Sequence, residues 1–164
     1  MTAPLPGDDI VPRAALVMDR AFDLLAPPET VWPWFVQLGK RRAGWYLPLS
    51  VERFIPPRRR GLRSIDDRFQ GLAVGDVIPD WGGSNETFTV ALLDPQQSLV
   101  YRSVRGRVEL SWAITLTPTA TGSRAHFRLR LGDVKHIRLA GTAGGIVDLL
   151  TVAALARGVR ERLR

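Results

Sequence analysis

Few side chains in this sequence could move a proton near neutral pH. Its only histidines are His126 and His136, and it contains no cysteine. His126 alternates in step with Arg128 and Arg130 and against the apolar residues, so we expect it on an outer sheet face, away from a substrate. His136 lies in GDVKHIR, which predicts a loop near the mouth of a pocket, and no neighbouring carboxylate forms a pair with it.

Three further side chains are candidates for acid or base chemistry. Glu52 stands beside Arg53, and Asp80 stands beside Trp81. Solvated surface charge is the default interpretation of both carboxylates. Tyr46 supplies a hydroxyl within an aromatic stretch. The catalytic candidates are therefore Tyr46, Glu52, Asp80 and His136, with no motif to choose among them.

Metal and cofactor chemistry is not predicted. Without cysteine there is no disulfide framework and no thiolate ligation of zinc, and the two histidines lack clustered carboxylates other than Asp133. The segment GTAGG at 141–145 lacks the phosphate-binding pattern G-x-x-x-x-G-K-[ST] and its strand-turn-helix context. We interpret it as a flexible lead into a helix, and expect neither metal nor cofactor.

The net charge of +7 and the pI near 11.1 raise the possibility of a polyanion partner. Lys40 and Lys135 are the only lysines among the 23 basic residues, so the excess is mostly dispersed arginine. Only Arg58, Arg59 and Arg60, with Arg63 behind them, form a dense run, and a solvated loop is the favoured interpretation. Because the arginines are dispersed, we expect no nucleic-acid partner. We expect no membrane span and a cytoplasmic location, because neither a signal segment nor a long apolar run is present.

Aromatic residues are the more informative set. Apolar pockets are commonly walled by large rings with a few polar atoms, although each single ring is more often core. Trp112, central on the apolar face of a predicted strand, is the best single candidate. The predicted ligand-binding residues are Trp34, Trp45, Tyr46, Trp81, Phe88, Tyr101, Leu110, Trp112, Phe127, Leu149 and Val152.

Local patterns predict one domain over residues 14–164 behind a flexible leader, 1–13. The first strand spans 14–25, with Arg20 as the exception to its alternation. A short kinked helix, or two single turns, follows and ends before Gly39, because Pro33 lies inside this span. Irregular cover at 40–72 includes a short helix near 49–54. Strands at 75–79, 86–93 and 98–104 lead into a hairpin over 107–131 with one wholly apolar face.

The last segment, 143–164, has apolar residues at three- and four-residue steps, which predicts an amphipathic helix with Ile146, Leu149, Val152, Ala156 and Val159 buried. Helices at both ends of an antiparallel meander indicate an α+β fold. A twisted sheet bent around a straight helix leaves space between them. We therefore predict a pocket between the 107–131 hairpin, the last helix and the 40–72 cover.

Several segments resemble the SRPBCC superfamily, the START-like group that includes polyketide cyclase/dehydrase-like proteins. These segments are PPETVWPWFVQLG, RAGWY, LAVGD, SWAITLTPTATGSRAHFRLR and LARGVRERLR, and the resemblance covers most of 14–164. It implies the helix-grip fold, a curved antiparallel sheet around a long C-terminal helix, with an apolar small molecule bound between them. The basic segment PPRRRGLRSIDDRFQGL departs from that pattern.

Three functions remain open at this point. The first is binding of a small hydrophobic or aromatic molecule, as a carrier, a sensor or a sequestering protein. The second is an enzyme of the cyclase, dehydratase or hydrolase type acting in the same cavity. The third and weakest is an arginine-rich adaptor for nucleic acid or protein. Ligand identity and oligomeric state are not predicted.

Overall fold

The computed structural model describes residues 4–133 and 145–164, which form an antiparallel sheet gripped against a C-terminal helix. Within those residues six strands follow the spatial order β1-β6-β5-β4-β3-β2. The α+β helix-grip fold predicted from the sequence is confirmed. The strands are β1 Leu16–Leu24, β2 Val77–Pro79, β3 Thr87–Asp94, β4 Ser98–Arg105, β5 Val108–Thr119 and β6 Gly122–Leu131. The helices are α1 Pro28–Gln37, α2 Leu49–Glu52 and α3 Gly145–Arg162, with 3-10 turns at Pro57–Arg59 and Asp67–Phe69.

The first strand pairs with the last one, and its alternation is as predicted. Met18, Phe22 and Leu24 are buried on the inner face, the face turned toward the helices. Arg20 shares that face, since its register partner is the buried Phe127. Its guanidinium donates a hydrogen bond to the carbonyl of Gly145 and lies 3.0 Å from Asp148. The apparent break in the pattern is thus a polar contact to the start of α3.

Helix α1 is one helix and not two single turns, which were the other arrangement predicted around Pro33. It runs without interruption over ten residues, with Pro33 inside. The bond that Pro33 cannot make would have gone to the carbonyl of Glu29. Because Glu29 is exposed in the first turn, water can satisfy that carbonyl. The proline therefore costs less here than in a buried helix centre.

The N-terminal segment is packed, whereas the sequence predicted a loose leader. Val11 is 2% exposed, and its carbonyl accepts hydrogen bonds from Arg130. A Cβ at Gly7 would overlap the side chain of Val100, so the segment lies directly on the outer sheet face. Asp8 lies 2.7 Å from the guanidinium of Arg128. Outer-face residues of β5 that alternation assigned to solvent are consequently buried: Ser111, Ala113 and Thr115.

Helix α3 is buried along one stripe of its C-terminal part. Val152, Leu155, Ala156 and Val159 face the core at the expected spacing. The expected burial of Ile146 and Leu149 is wrong: the first four apolar residues of the helix are 52–64% exposed, namely Ile146, Val147, Leu149 and Leu150. No helix in the described parts of the chain has both the length and the apolar character needed to cross a bilayer.

Candidate ligand-binding site

A cluster of aromatic rings covers the inner face of β3, β4, β5 and β6, with Trp112 at its centre. The ring centroid of Trp112 lies 5.7 Å from those of both Phe88 and Tyr101. It lies 6.2 Å from those of Trp45 and Phe127. Register explains the arrangement, because Tyr101 pairs with Trp112 across β4 and β5 and their side chains share one face.

The cluster is fully buried on one side and partly buried on the other. Phe35, Leu99 and Ile114 are fully buried. Trp45, Trp112, Leu129 and Leu131 pack against the core but stay only partly buried. We call this half-buried set, toward the end of the sheet where β6 stops, the open end. The indole Nε1–H of Trp45 donates to the carbonyl of Thr151 on α3, so this ring bridges helix and sheet.

The Tyr101 hydroxyl is the unusual polar group of this cluster. Tyr101 is 1% exposed, and its oxygen has no hydrogen-bond partner among the described residues. Burial raises the pKa of Tyr101, and the positive charge of Arg42 only partly opposes the shift. The hydroxyl therefore stays protonated at neutral pH and can donate a hydrogen bond. A buried donor left unpaired is costly, which makes it a candidate contact for a bound molecule.

Arg42 brings a second unpaired polar atom into the interior. Its Nη2 donates to the carbonyls of Val36 and Phe69, which fixes the guanidinium between α1 and the second 3-10 turn. Its buried Nε has no hydrogen-bond partner within the described chain. Arg42 and Tyr101 thus each have one buried donor atom without a hydrogen-bond partner among the described residues.

Tyr46 and Trp34 form a separate aromatic pair next to α1. Their rings meet edge to face at 5.6 Å, and the Tyr46 hydroxyl donates to the carbonyl of Trp34 over 2.8 Å. Burial raises the pKa of Tyr46, although a hydrogen bond to Gln37 and the charges of Arg162 and Arg42 oppose it. Tyr46 is thus a protonated structural donor whose hydrogen is already in use.

Glu52, a second acid-base candidate, is buried in an ion-pair cluster at the C-terminal end of α3. Its carboxylate lies 2.6 Å from the guanidinium of Arg162 and 2.8 Å from that of Arg63. The Arg162 side chain is 0% exposed and also donates to the carbonyls of Leu47 and Leu62. Both oxygens of this carboxylate accept hydrogen bonds from arginine, so they are already occupied by partners within the protein.

Asp80 is also engaged. It is 4% exposed and forms an ion pair with Arg105, which lies over the ring of Phe88. Lys40 donates to the carbonyls of Asp80 and Gly83 and so holds the loop after β2. The neighbouring Trp81 is 53% exposed, outside the ring cluster.

The other candidates lie in several places. Leu110, Phe127 and Val152 are core residues, while Leu149 is 52% exposed one turn before Val152. His136 lies outside the described residues. His126 is on the outer face, 2.8 Å from Asp19, as the alternation predicted.

Arg42 was missed, because its interior role depends on contacts across loops. Arg20 gave a sequence signal that was not interpreted, a charge at an inner-face position of a regular strand.

One concavity of the described residues lies on the outer side of the sheet, away from the helix-sheet interior. A cleft of about 330 Å³ separates the N-terminal segment from the start of β5, and its lining includes Arg13, Arg107, Glu109 and Asp133. Within residues 4–133 and 145–164, no three metal-ligating side chains come together. The aromatic cluster remains the place where apolar walls and unused polar atoms coincide.

Solved structures share this fold at low sequence identity. NE0264 from Nitrosomonas europaea is 13% identical, with 98% of this chain and 97% of that chain covered and a TM-score of 0.57. MLL2253 from Mesorhizobium loti is 19% identical over 90% and 98%, with a TM-score of 0.54. DynU16, a protein of the dynemicin biosynthetic locus, is 17% identical over 86% of this chain and 46% of that chain, with a TM-score of 0.54. Neither a family model nor a curated protein matches the chain. The likeness therefore establishes the helix-grip fold and no particular ligand.

Proposed function

We propose that this protein binds a small apolar or aromatic molecule at the open end of the Trp112 cluster, as a carrier, a sensor or a sequestering protein. The unpaired, buried Tyr101 hydroxyl beside half-buried rings is the observation that carries the proposal. Aromatic walls supply most of the affinity through burial, and one hydroxyl selects for a polar atom on the ligand.

Two further observations support a binding role. The sequence resembles the SRPBCC superfamily, whose members hold hydrophobic molecules between sheet and helix. The fold is shared with DynU16, a protein of a biosynthetic locus. Both fit a small organic ligand, and neither identifies it.

The arrangement favours binding over catalysis. A general base must reach its proton, and a nucleophile needs an activating partner. Tyr46 donates to a backbone carbonyl, Glu52 is held by two arginines, and Asp80 is paired with Arg105. Among the described residues, the hydrogen bonds and ion pairs of these three groups are made to partners outside the Trp112 cluster.

Native mass spectrometry of freshly purified protein is the first test, because it detects a retained small molecule directly. A matched pair of aromatic probes, naphthalene and 2-naphthol, then tests the site through quenching of tryptophan fluorescence. We expect both probes to bind and 2-naphthol to bind roughly two- to tenfold more tightly, since one net hydrogen bond contributes about 0.5–1.5 kcal/mol.

Two variants separate the walls from the hydroxyl. Trp112→Ala should weaken both probes, whereas Tyr101→Phe should abolish only the preference for 2-naphthol. Trp81→Ala, which alters an exposed tryptophan outside the cluster, is the matched control and should leave both affinities unchanged. The proposal fails if no molecule is retained and neither probe changes the fluorescence of the unaltered protein.

A further inference from the structure

The segment 49–60, beyond the ligand site, combines exposed apolar side chains with arginines that form no ion pair among the described residues. Its apolar members are Leu49, Val51 and Phe54, which are 57%, 42% and 77% exposed. We call this surface, which consists of Leu49, Val51, Arg53, Phe54, Arg58, Arg59 and Arg60, the apolar-basic patch; its four arginines are exposed.

The charge of this patch is not compensated locally. Glu52 is the one carboxylate between residues 40 and 65, and it points inward to Arg162 and Arg63. In the described ranges, 4–133 and 145–164, no ion pair involves an arginine of the patch. Arg68 and Arg124, also on the surface, have carboxylate partners, whereas the exposed Arg102 and Arg107 resemble the patch arginines in having no ion pair among the described residues.

The fold holds the patch in place from below. The backbone N–H of Leu49 donates to Glu161 on α3, and Arg162 donates to the carbonyl of Gly61. Within the patch, Arg60 donates to the carbonyl of Ile55 and closes the loop on itself. Both flanks of the segment 49–60 are thus tied to the last turns of α3. Little conformational freedom of the backbone is therefore lost when its outer side chains bind a surface.

The ring of Phe54 shows why the apolar members are not ordinary surface residues. The guanidinium of Arg53 lies 4.6 Å from the centre of this ring, yet the side chain remains 77% exposed. One exposed aromatic ring and two exposed aliphatic side chains occur in the same short segment as four exposed arginines. This composition is typical of segments that insert at a lipid headgroup boundary.

We infer that the apolar-basic patch binds the surface of an anionic lipid bilayer, with Phe54, Leu49 and Val51 in the headgroup boundary and the arginines against acidic lipids. The combination of positive charge and apolar side chains favours this partner. The arginines attract an anionic leaflet, and the apolar side chains are removed from water when they enter it. A nucleic acid would reward the arginines but would leave Leu49 and Val51 in water. This inference goes beyond the proposed function and does not depend on it.

Co-sedimentation with lipid vesicles tests the inference on the whole protein. Vesicles of phosphatidylcholine alone are compared with vesicles in which about one third of the lipid is phosphatidylserine, a composition that gives a negative surface potential. We expect sedimentation with the anionic vesicles, little with the neutral ones, and weaker binding as salt screens the charges.

Three variants dissect the contact. The triple variant Arg53→Gln, Arg58→Gln, Arg59→Gln should weaken binding to anionic vesicles by roughly fivefold for each arginine removed. Phe54→Ser should weaken it roughly tenfold through lost apolar burial, with the salt dependence retained. The matched control is Arg13→Gln, Arg102→Gln, Arg107→Gln, which removes the same charge from exposed arginines elsewhere and should have a small effect.

Circular dichroism of each variant should match that of the unaltered protein, since every substituted side chain is exposed. The inference is overturned if anionic vesicles do not bind the protein, or if the control triple loses as much affinity as the patch triple. It is also overturned if Phe54→Ser has no effect while a single-stranded oligonucleotide binds as tightly as the vesicles.

Discussion

The two ends of helix α3 differ in how they are held. At the C-terminal end, Arg162 has no exposed side-chain surface, pairs with Glu52 and donates to backbone carbonyls. At the N-terminal end, four apolar side chains are more than half exposed, and the polar contacts are those of Arg20 to Gly145 and Asp148.

This difference separates stability from binding along one helix. The C-terminal end of α3, which we call its closed end, is joined to the 47–63 segment, and that segment carries the apolar-basic patch. The other end lies beside Trp45, which reaches Thr151, and hence beside the open end of the Trp112 cluster. Sites that must admit a ligand are commonly built from the less stable parts of a fold, and α3 has one such part.

Among the changes that test this difference between the two ends, removal of Arg162 should have the largest effect on stability. Arg162→Met leaves Glu52 buried with Arg63 as its remaining partner, and we expect a loss of about 3 kcal/mol in the free energy of unfolding. Urea denaturation measures it. Arg164→Met, two residues further along and exposed, is the control and should change stability by less than about 0.5 kcal/mol. Similar losses in the two variants would contradict the idea that the closed end is a buried clamp.

Two glycines of α3 provide a second test with the same substitution. A Cβ at Gly158 would overlap the carbonyl of Tyr46, whereas a Cβ at Gly145 meets no atom of the described residues within 4 Å. Gly158→Ala should therefore destabilise the protein by about 1–3 kcal/mol despite the better helix propensity of alanine. Gly145→Ala should be neutral or slightly stabilising. Thermal unfolding compares them, and an equal shift in Tm would show that the closed end can relax.

The pH dependence of stability should have opposite signs at the two ends, with the smallest effects of the three tests. Burial raises the pKa of Asp148 above its ordinary 3.8, and the charge of Arg20 does not fully offset it. Stability from Asp148 is therefore lost as pH rises through its folded pKa. The backbone N–H of Leu49 lowers the pKa of Glu161 below its ordinary 4.5; slight burial opposes this, while Arg63 and Arg162 add to it. Stability from Glu161 is present above pH 4.5 and lost as pH falls through its folded pKa.

Variants that remove one carboxylate at a time measure the sign of each pH dependence of stability. At neutral pH, Asp148→Asn should be as stable as the unaltered protein or slightly more stable, and Glu161→Gln should be less stable. The deficit of Glu161→Gln should shrink below pH 4.5, where the unfolded carboxyl already holds its proton. Urea midpoints across pH follow both. A deficit for Asp148→Asn at neutral pH would mean that its ion pair outweighs its burial.

Regular elements of the fold were predictable because their apolar periods are local. The alternation of β5 and β6 and the stripe on α3 depend on neighbours two to four residues away. The burial of Ala113 and Ser111 was not predictable, because the covering segment near Val11 lies about a hundred residues earlier in the sequence and has no period of its own.

Prediction of the candidate site was uneven for a similar reason. Residue type and strand alternation sufficed to include Trp112, Tyr101, Phe88 and Phe127 among the predicted ligand-binding residues, but the register that brings their rings together is a property of the folded sheet. Whether a hydroxyl or a carboxylate is already satisfied depends on distant partners. The hydrogen bond of Tyr46 to Trp34 and the pairing of Glu52 with Arg162 span 12 and 110 residues. No local pattern encodes such pairings.

The pairing of β1 with β6 has a consequence for synthesis of the chain. Leu24 is synthesised before its register partner Ser123, which follows about a hundred residues later. Val11 likewise precedes its hydrogen-bond partner Arg130. At translation rates of about 5–20 residues per second, the first strand stays without its partner for about 5 to 20 s. During that interval its apolar face and both of its edges lack their partners within the chain and are open to contact with other chains.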